Sequence, residues 1–150
     1  MKQKAWAAAQ QSITIEADAV RAVLDYLDQE ALAKAVEAMA AAPRIITCAS
    51  GSSGAATMKL AHSLCCIERP AKFMSPAEAV HGGLGCVQKG DVVVMVSRGG
   101  KTAELLPIID VVVKKQATLI ALTENVASPL ALQADILIPM KIASESDPLN

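Results

Sequence analysis

Two short loops, rich in glycine and in hydroxyl side chains, are the part of this chain best suited to chemistry. They span residues 50–54, Ser-Gly-Ser-Ser-Gly, and 97–102, Ser-Arg-Gly-Gly-Lys-Thr. Each follows a short apolar, β-branched segment, 44–49 or 91–96, of the kind that forms a buried parallel strand. Glycines let backbone N–H groups approach an anion, while hydroxyls and helix N-termini add donors and dipoles. The sequence therefore predicts a phosphate site with these candidate binding residues: Ser50, Gly51, Ser52, Ser53, Ser97, Gly99, Gly100, Lys101 and Thr102.

Neither of the two best-known phosphate motifs fits these loops. Gly100-Lys101-Thr102 is similar to the end of a P-loop, but Met95 stands where that motif requires its first glycine. Residues 49–54 approach the dinucleotide fingerprint, yet Ala49 replaces the first glycine, and no ribose-binding acid ends the next strand. The expected ligand is a small phosphorylated molecule, bound without either motif.

The composition argues against nucleic-acid and membrane partners. The 150 residues include one Trp, one Tyr and one Phe, so the chain lacks the aromatic platforms of single-stranded nucleic-acid binders. A formal net charge of -1 gives no general attraction to nucleic acid or to anionic membranes. The start of the sequence has no signal-peptide pattern, and no apolar run is long enough for a bilayer. We therefore expect no nucleic-acid partner and no membrane partner.

The four cysteines favour neither a metal site nor a disulfide framework. They form no C-x-x-C pair and have no accompanying histidine spacing, so we expect no metal. The adjacent pair Cys65 and Cys66 is typical of a helix packed on a sheet in a reducing compartment. The expected location is the cytoplasm.

Strand and helix patterns alternate from residue 44 onward, which indicates an α/β fold. A Pro76-led segment follows the second strand. Right-handed crossovers predict a doubly wound parallel five-stranded sheet in the flavodoxin-like order 2-1-3-4-5, with helices on both faces. In that order the first and third strands are neighbours, so the two loops share one crevice. The strands are expected at about 44–49, 71–74, 91–96, 117–122 and 135–140, and the helices between them at about 53–67, 102–115 and 128–133.

The first 42 residues have the pattern of a helical arm. Apolar residues recur at spacings of three and four from Trp6 to Leu27, which indicates one long amphipathic helix. A second helix is expected from Glu30 to Ala42, ended by Pro43. The apolar stripe must be buried on the domain body or on another subunit, so we expect residues 1–42 to serve oligomerisation.

Five motifs, in order and at matching spacing, make the chain similar to the SIS (sugar isomerase) domain family. The resemblance is greatest to the arabinose 5-phosphate isomerase branch and runs from about residue 10 to the end. The motifs are the first loop at 49–54, P-x-E-A-x-H-G-x-L-G at 76–85, the second loop with its glutamate at 97–104, T-x-N-x-x-S-x-L-A-x-x-A-D at 123–135, and the proline-leucine segment at 144–149.

The resemblance implies a ligand and an assembly. Residues 43–150 correspond to the SIS domain, which binds a small phosphorylated sugar, here through Ser53, Ser97 and Thr102 with nearby backbone N–H groups. The family implies a homodimer or homotetramer, and activity without a metal or an organic cofactor.

The resemblance also implies catalytic residues. His81, Glu104 and Glu145 match family positions tied to chemistry. Aldose–ketose isomerisation moves a proton between adjacent carbons through an enediol, so it needs a base, a donor to the carbonyl and help in opening the sugar ring. Glu104 or Glu145 is the expected base, and His81 is expected to open the ring or to shuttle a proton.

The chain departs from the family pattern in both loops. Ser52 stands where the isomerases usually carry lysine, and residues 97–100 differ from the usual S-x-S-G. The change removes a cation that holds phosphate or stabilises an enediolate, with Arg98 or Lys101 as candidates to restore charge nearby. Family members also continue past the segment at 144–149 into a Thr-Ser-Ser-Thr helix, whereas this sequence ends at Asn150.

Three functions stay open at this point. The favoured one is a phosphosugar isomerase, and the second is a non-catalytic sugar-phosphate sensor of the kind that SIS domains form beside a DNA-binding helix-turn-helix. The third is an oligomerising scaffold without a working site. The first helices lack a basic recognition face, which favours the enzyme over the sensor.

Overall fold

The structure, a computed structural model, describes residues 2–146, which form two compact units. The described residues of the first unit are 2–27 and 140–146, and the second unit contains residues 28–139. The whole sheet belongs to the second unit, together with the helix that precedes it. The sequence separates residues 1–42 from the rest of the chain as an oligomerisation arm, and that separation stays a prediction.

Helices and strands alternate along the second unit as the sequence predicts. The first unit contributes one long helix, α1, which spans 25 residues. In chain order the elements are α1 (Lys2–Tyr26), α2 (Gln29–Ala41), β1 (Ile45–Cys48), α3 (Gly51–Cys66), β2 (Ala71–Phe73), α4 (Pro76–Ala79), a 3₁₀ helix (Gly83–Cys86), β3 (Val92–Val96), α5 (Leu106–Lys114), β4 (Thr118–Thr123), α6 (Pro129–Gln133) and β5 (Ile136–Pro139).

The five strands form one parallel sheet in the order β2-β1-β3-β4-β5, which confirms the predicted topology. β1 lies between β2 and β3, with Ile45 opposite both Ala71 and Val92. Strands buried on both faces need continuous apolar sequence, and β1 and β3 have it. The chain leaves β1 and β3 at the same edge of the sheet, where the two glycine loops begin.

Two apolar cores lie on opposite faces of the sheet. One contains Ile45 and Ile120 with residues of α2 and α3, among them Ala35 and Leu64. The other contains alternate strand residues such as Val93, packed with the buried face of α5 and with α6. The predicted cover of helices on both faces is therefore confirmed.

Side-chain caps fix the starts of two helices. Asp28 Oδ1 accepts hydrogen bonds from the backbone N–H groups of Glu30 and Ala31, at 2.9 and 3.2 Å, and so starts α2. Ser128 Oγ accepts from Ala131 N at 3.2 Å at the start of α6. Both helices thereby satisfy N–H groups that have no partner within the helix.

The helix after the second loop begins later than the sequence pattern suggests. The prediction of about residue 102 was wrong by four residues, since α5 starts at Leu106 and residues 103–105 form turns. Leu105 N donates to Thr102 O at 2.9 Å, which closes the first of these turns. Pro107 lies in the first turn of α5, where its missing N–H costs no hydrogen bond.

In the first unit, residues 140–146 lie along α1. Ser146 Oγ donates to Glu16 Oε1 at 2.8 Å, and Lys141 Nζ lies 5.3 Å from the centre of the Tyr26 ring. The apolar residues Ile13, Val20 and Leu24 of α1 remain 66, 73 and 83% exposed. Within residues 2–146, no helix is both long enough and apolar enough to span a membrane.

Candidate active site

The two glycine loops leave neighbouring strands at the carboxyl edge of the sheet. The last residue of β1, Cys48, pairs with Met95 of β3, so residues 49–54 and 97–102 begin side by side. This is the point at which ligands bind in open α/β sheets, because the chain diverges there to opposite faces. The structure thus confirms that β1 and β3 are neighbours, as the prediction of a shared crevice assumed.

The first loop turns tightly into the N-terminus of α3. Ser50 is extended, with φ −102° and ψ 158°, and its side chain makes no capping hydrogen bond within the described residues. Gly51 has φ +61°, which favours glycine. A Cβ at Gly54 would lie 2.9 Å from the backbone oxygen of Ala49, so only glycine lets α3 approach β1 this closely. The first-turn N–H groups of a 16-residue helix and the Ser50 hydroxyl therefore face the carboxyl edge.

A cavity of about 820 Å³ opens beside this loop. Part of its lining is a single face of α3, and another part is Phe73 of β2 with the segment that follows this strand. Glu104 brings a carboxylate from the chain after the second loop. The lining residues are Ala49, Ser50, Gly51, Gly54, Ala55, Met58, Lys59, His62, Phe73, Ser75, Pro76, Ala77 and Glu104.

Glu104 is the predicted catalytic residue that the structure brings to the first loop. It is exposed and precedes α5 by two residues. In the first turn of α5, a carboxylate would have a structural role, since it would stabilise the positive end of the helix dipole. Glu104 lies outside that turn. Its position in the cavity with Ser50 and Gly51 is the arrangement that a base beside a bound anion requires.

The hydroxyl groups of the second loop bond to each other. Ser97 Oγ and Thr102 Oγ1 are 2.8 Å apart, and Gly100 N donates to Ser97 Oγ at 3.1 Å. Gly100 has φ +63°, and a Cβ there would overlap the side chain of Ser128. The lining described for the 820 Å³ cavity includes no residue of 97–102. The binding roles of Ser97, Gly99, Gly100, Lys101 and Thr102 stay predictions.

The second loop is also tied to the loop after β4. Arg98 Nε donates to Glu124 Oε2 at 2.9 Å, and Thr123 Oγ1 donates to Arg98 O at 3.0 Å. Leu130 N donates to Gly100 O at 3.2 Å. Because Glu124 pairs with Arg98, the Arg98 charge is partly neutralised where it lies. Lys101 is exposed, and the expectation that Arg98 or Lys101 restores the charge of the family lysine stays a prediction.

His81 and Glu145 lie elsewhere in the chain. His81 is exposed in the turn between α4 and the 3₁₀ helix, where its backbone N–H donates to Glu78 O at 3.1 Å. It does not contribute to the lining described for the cavity. Glu145 is exposed and belongs to the first unit, and residues 147–149 of its motif lie outside the described residues. Their catalytic roles remain predictions.

Sequence reasoning missed two basic residues of the cavity, Lys59 and His62. Lys59 Nζ donates to Ser63 Oγ at 2.7 Å, and His62 Nε2 lies 3.7 Å from Cys66 Sγ. Counted from Ala55, both positions fall on the helical face that also presents Met58 to the cavity. That i, i+3, i+4, i+7 spacing was visible in the sequence and could have identified them.

Cys48, directly before the first loop, is not a nucleophile. It is fully buried between the strands and the core, and burial raises the pKa of its thiol to about 12. The thiol therefore stays protonated near neutral pH. The polar groups available at this cavity are those of Ser50, Ser75, Lys59, His62 and Glu104.

Comparison with known proteins decides the family. The SIS domain model matches residues 38–149. This chain belongs to the SIS domain family. The fold described above, with its two loops at the carboxyl edge, is thus the SIS domain fold.

Three proteins are similar to this chain over at least 95% of its length. The arabinose 5-phosphate isomerase KdsD of Pseudomonas aeruginosa is 34% identical over 142 residues, which is 95% of this chain and 44% of that protein. A candidate sugar-phosphate isomerase of Listeria monocytogenes is 43% identical with a TM-score of 0.94, covering 99% of this chain and 78% of that one. An Escherichia coli CFT073 protein, solved in complex with A5P, is 29% identical with a TM-score of 0.91, covering 99% and 79%. The chain spans less than half the length of the KdsD relative.

Proposed function

We propose that this SIS domain binds a small sugar phosphate and isomerises it between aldose and ketose, with arabinose 5-phosphate and ribulose 5-phosphate as the substrate type. The observation that carries the proposal is the cavity that holds Glu104 together with Ser50 and Gly51. A carboxylate base and a set of anion donors then serve one ligand.

In this proposal, the phosphate binds at the start of α3. Backbone N–H groups of the first turn have no partner within the helix and carry the positive end of its dipole. The Ser50 hydroxyl adds a donor, and Ser52 and Ser53 follow in the same turn. In the proposed complex, Ser97 and Thr102 exchange their mutual hydrogen bond for bonds to the phosphate, because a phosphate oxygen is a stronger acceptor than a hydroxyl.

Glu104 is assigned as the base of the enediol step. It takes the proton from the carbon next to the carbonyl and returns it to the former carbonyl carbon, while the hydroxyl proton of the first carbon passes to the former carbonyl oxygen. One carboxylate therefore serves both directions of the carbon-to-carbon transfer. Lys59 and His62 line the same cavity and are the proposed cationic and donor groups for the enediolate oxygen. Glu145 remains the alternative base, and His81 remains the candidate for ring opening.

Similarity to known proteins supports the substrate type. The KdsD relative is named as an arabinose 5-phosphate isomerase, and the E. coli neighbour was solved in complex with A5P. Both likenesses extend over at least 95% of this chain.

Binding and chemistry are tested separately. Calorimetric titration with arabinose 5-phosphate and with arabinose is expected to show binding of the phosphate ester alone, and equal affinities would remove the binding proposal. Exchange of the C2 proton in deuterated water, followed by NMR, then tests the enediol step. Phosphate-dependent binding without exchange for any pentose or hexose phosphate would replace the isomerase with the sensor.

A further inference from the structure

Cys66 and His62 lie side by side on the exposed face of α3. Four residues, about one helical turn, separate them, and Cys66 Sγ lies 3.7 Å from His62 Nε2. Both side chains are exposed, so small reagents can reach the sulfur. The pair has the arrangement of a nucleophile beside its base.

The other three cysteines lack this environment. Cys65 is exposed, but its Sγ–H donates to Ala71 O at 3.1 Å, a backbone carbonyl that is not a base. Cys48 is buried, and burial raises its pKa to about 12. Cys86 is half-buried and packs against the core on the α5 face of the sheet. The surroundings therefore single out Cys66 among four thiols.

We propose that Cys66, activated by His62, is a thiol–disulfide exchange site for low-molecular-weight disulfides. In the tautomer that carries its proton on Nδ1, His62 Nε2 accepts the proton of the thiol. The thiolate then attacks one sulfur of the disulfide, forming a new S–S bond to Cys66 as the old S–S bond breaks. The released half leaves as a thiolate and takes the proton held by His62, so the exchange needs no other reagent.

The position of the pair connects this chemistry to the ligand cavity. His62 lines the cavity, and Cys66 follows it by one turn of the same helix. An adduct on Cys66 occupies the space beside the His62 ring and removes its thiol partner. The exchange site is thus a modification site at the end of the cavity wall, separate from the loop that is proposed to hold phosphate.

The test uses dithiobis(nitrobenzoate), an aromatic disulfide, on the full chain in the absence of sugar phosphate. Release of the aromatic thiolate is followed by absorbance, and the adduct is located by peptide mass spectrometry. The fastest phase is expected to modify Cys66, to vanish in Cys66→Ser and to persist in Cys65→Ser. His62→Gln is expected to slow that phase by about tenfold or more, because the base is gone. The matched control Lys59→Gln, on the same face, leaves it within about twofold.

Two results would overturn the proposal: a fastest adduct on Cys65 or Cys86, or an unchanged rate in His62→Gln. Slow reaction of the buried Cys48 in each variant shows that the fold is intact. Where His62→Gln fails that check, His62→Asn takes its place with the same expected slowing. Because no sugar phosphate is present, the outcome is independent of the proposed isomerase function.

Discussion

Glu104 carries the largest share of the proposed chemistry, and its location follows from a few residues of irregular backbone. The turns at residues 103–105 place Glu104 before the start of α5, and its side chain lines the cavity. Had α5 begun at residue 102, as the sequence pattern indicated, Glu104 would have been a first-turn carboxylate. The site therefore depends on where this helix begins.

We predict that Glu104→Gln slows C2 proton exchange by roughly 100-fold or more while phosphate affinity stays within a few-fold, because the amide cannot accept the proton. Exchange by NMR and binding by calorimetry measure the two effects. Asp110→Asn, an exposed carboxylate change on α5, is the matched control and leaves both unchanged. Wild-type exchange rates in Glu104→Gln would move the assignment to Glu145.

Burial of Cys48 makes the free energy of unfolding depend on pH in the alkaline range. Its pKa is about 12 in the folded chain, above the ordinary thiol value near 9, so the folded state holds this proton more tightly than the unfolded state. Stability from this group is complete below pH 9 and is lost as the pH rises toward 12. Unfolding in urea at pH 8, 9 and 10 is expected to show a steeper loss in wild type than in Cys48→Ala, by up to about 1.4 kcal/mol per pH unit. Parallel slopes would contradict this assignment.

At the scale of elements, the sequence predicted what depends on local pattern and missed what depends on tertiary contact. Apolar runs bounded by turns located all five strands, and their alternation with helices determined the strand order. The mutual hydrogen bond of Ser97 and Thr102 could not be foreseen, since either hydroxyl was equally suited to a ligand. The same holds for Arg98, whose partner Glu124 is 26 residues away.

Gly100 joins two such elements, the loop after β3 and the start of α6. Its φ of +63° disfavours other residues, and a Cβ would overlap Ser128, which is buried and caps α6. We predict that Gly100→Ala lowers the free energy of unfolding by about 2 kcal/mol or more, through backbone strain and displacement of that cap.

The neighbouring glycine supplies the control for this change. A Cβ at Gly99 would lie 3.9 Å from Lys101 Cγ, an ordinary contact, so Gly99→Ala is expected to change stability by no more than about 0.5 kcal/mol. Urea unfolding measures both. Equal losses in the two variants would show that the Gly100 conformation is not what constrains the loop.

At the scale of the whole molecule, α1 presents a row of exposed apolar side chains. Trp6, Ile13 and Val20 follow one another at intervals of seven, and each is at least 66% exposed. A strict repeat of seven is the spacing of a helix that packs along another helix in a left-handed pair. We propose that the partner is a second copy of this chain, consistent with the homodimer or homotetramer that the resemblance to the SIS family implies.

The proposal predicts an assembly larger than the monomer at micromolar concentration, measured by light scattering. Val20→Asp is expected to lower the measured mass, since a carboxylate in an apolar helix seam is left without a partner. Gln11→Asp adds the same charge at an exposed position on the other side of α1 and leaves the mass unchanged. Deleting residues 1–28 is expected to lower the number of copies per assembly as much as Val20→Asp does if the seam is the only contact between copies, and more if other surfaces of α1 take part. A wild-type chain that is monomeric at micromolar concentration would contradict the proposed role of these apolar residues in self-association.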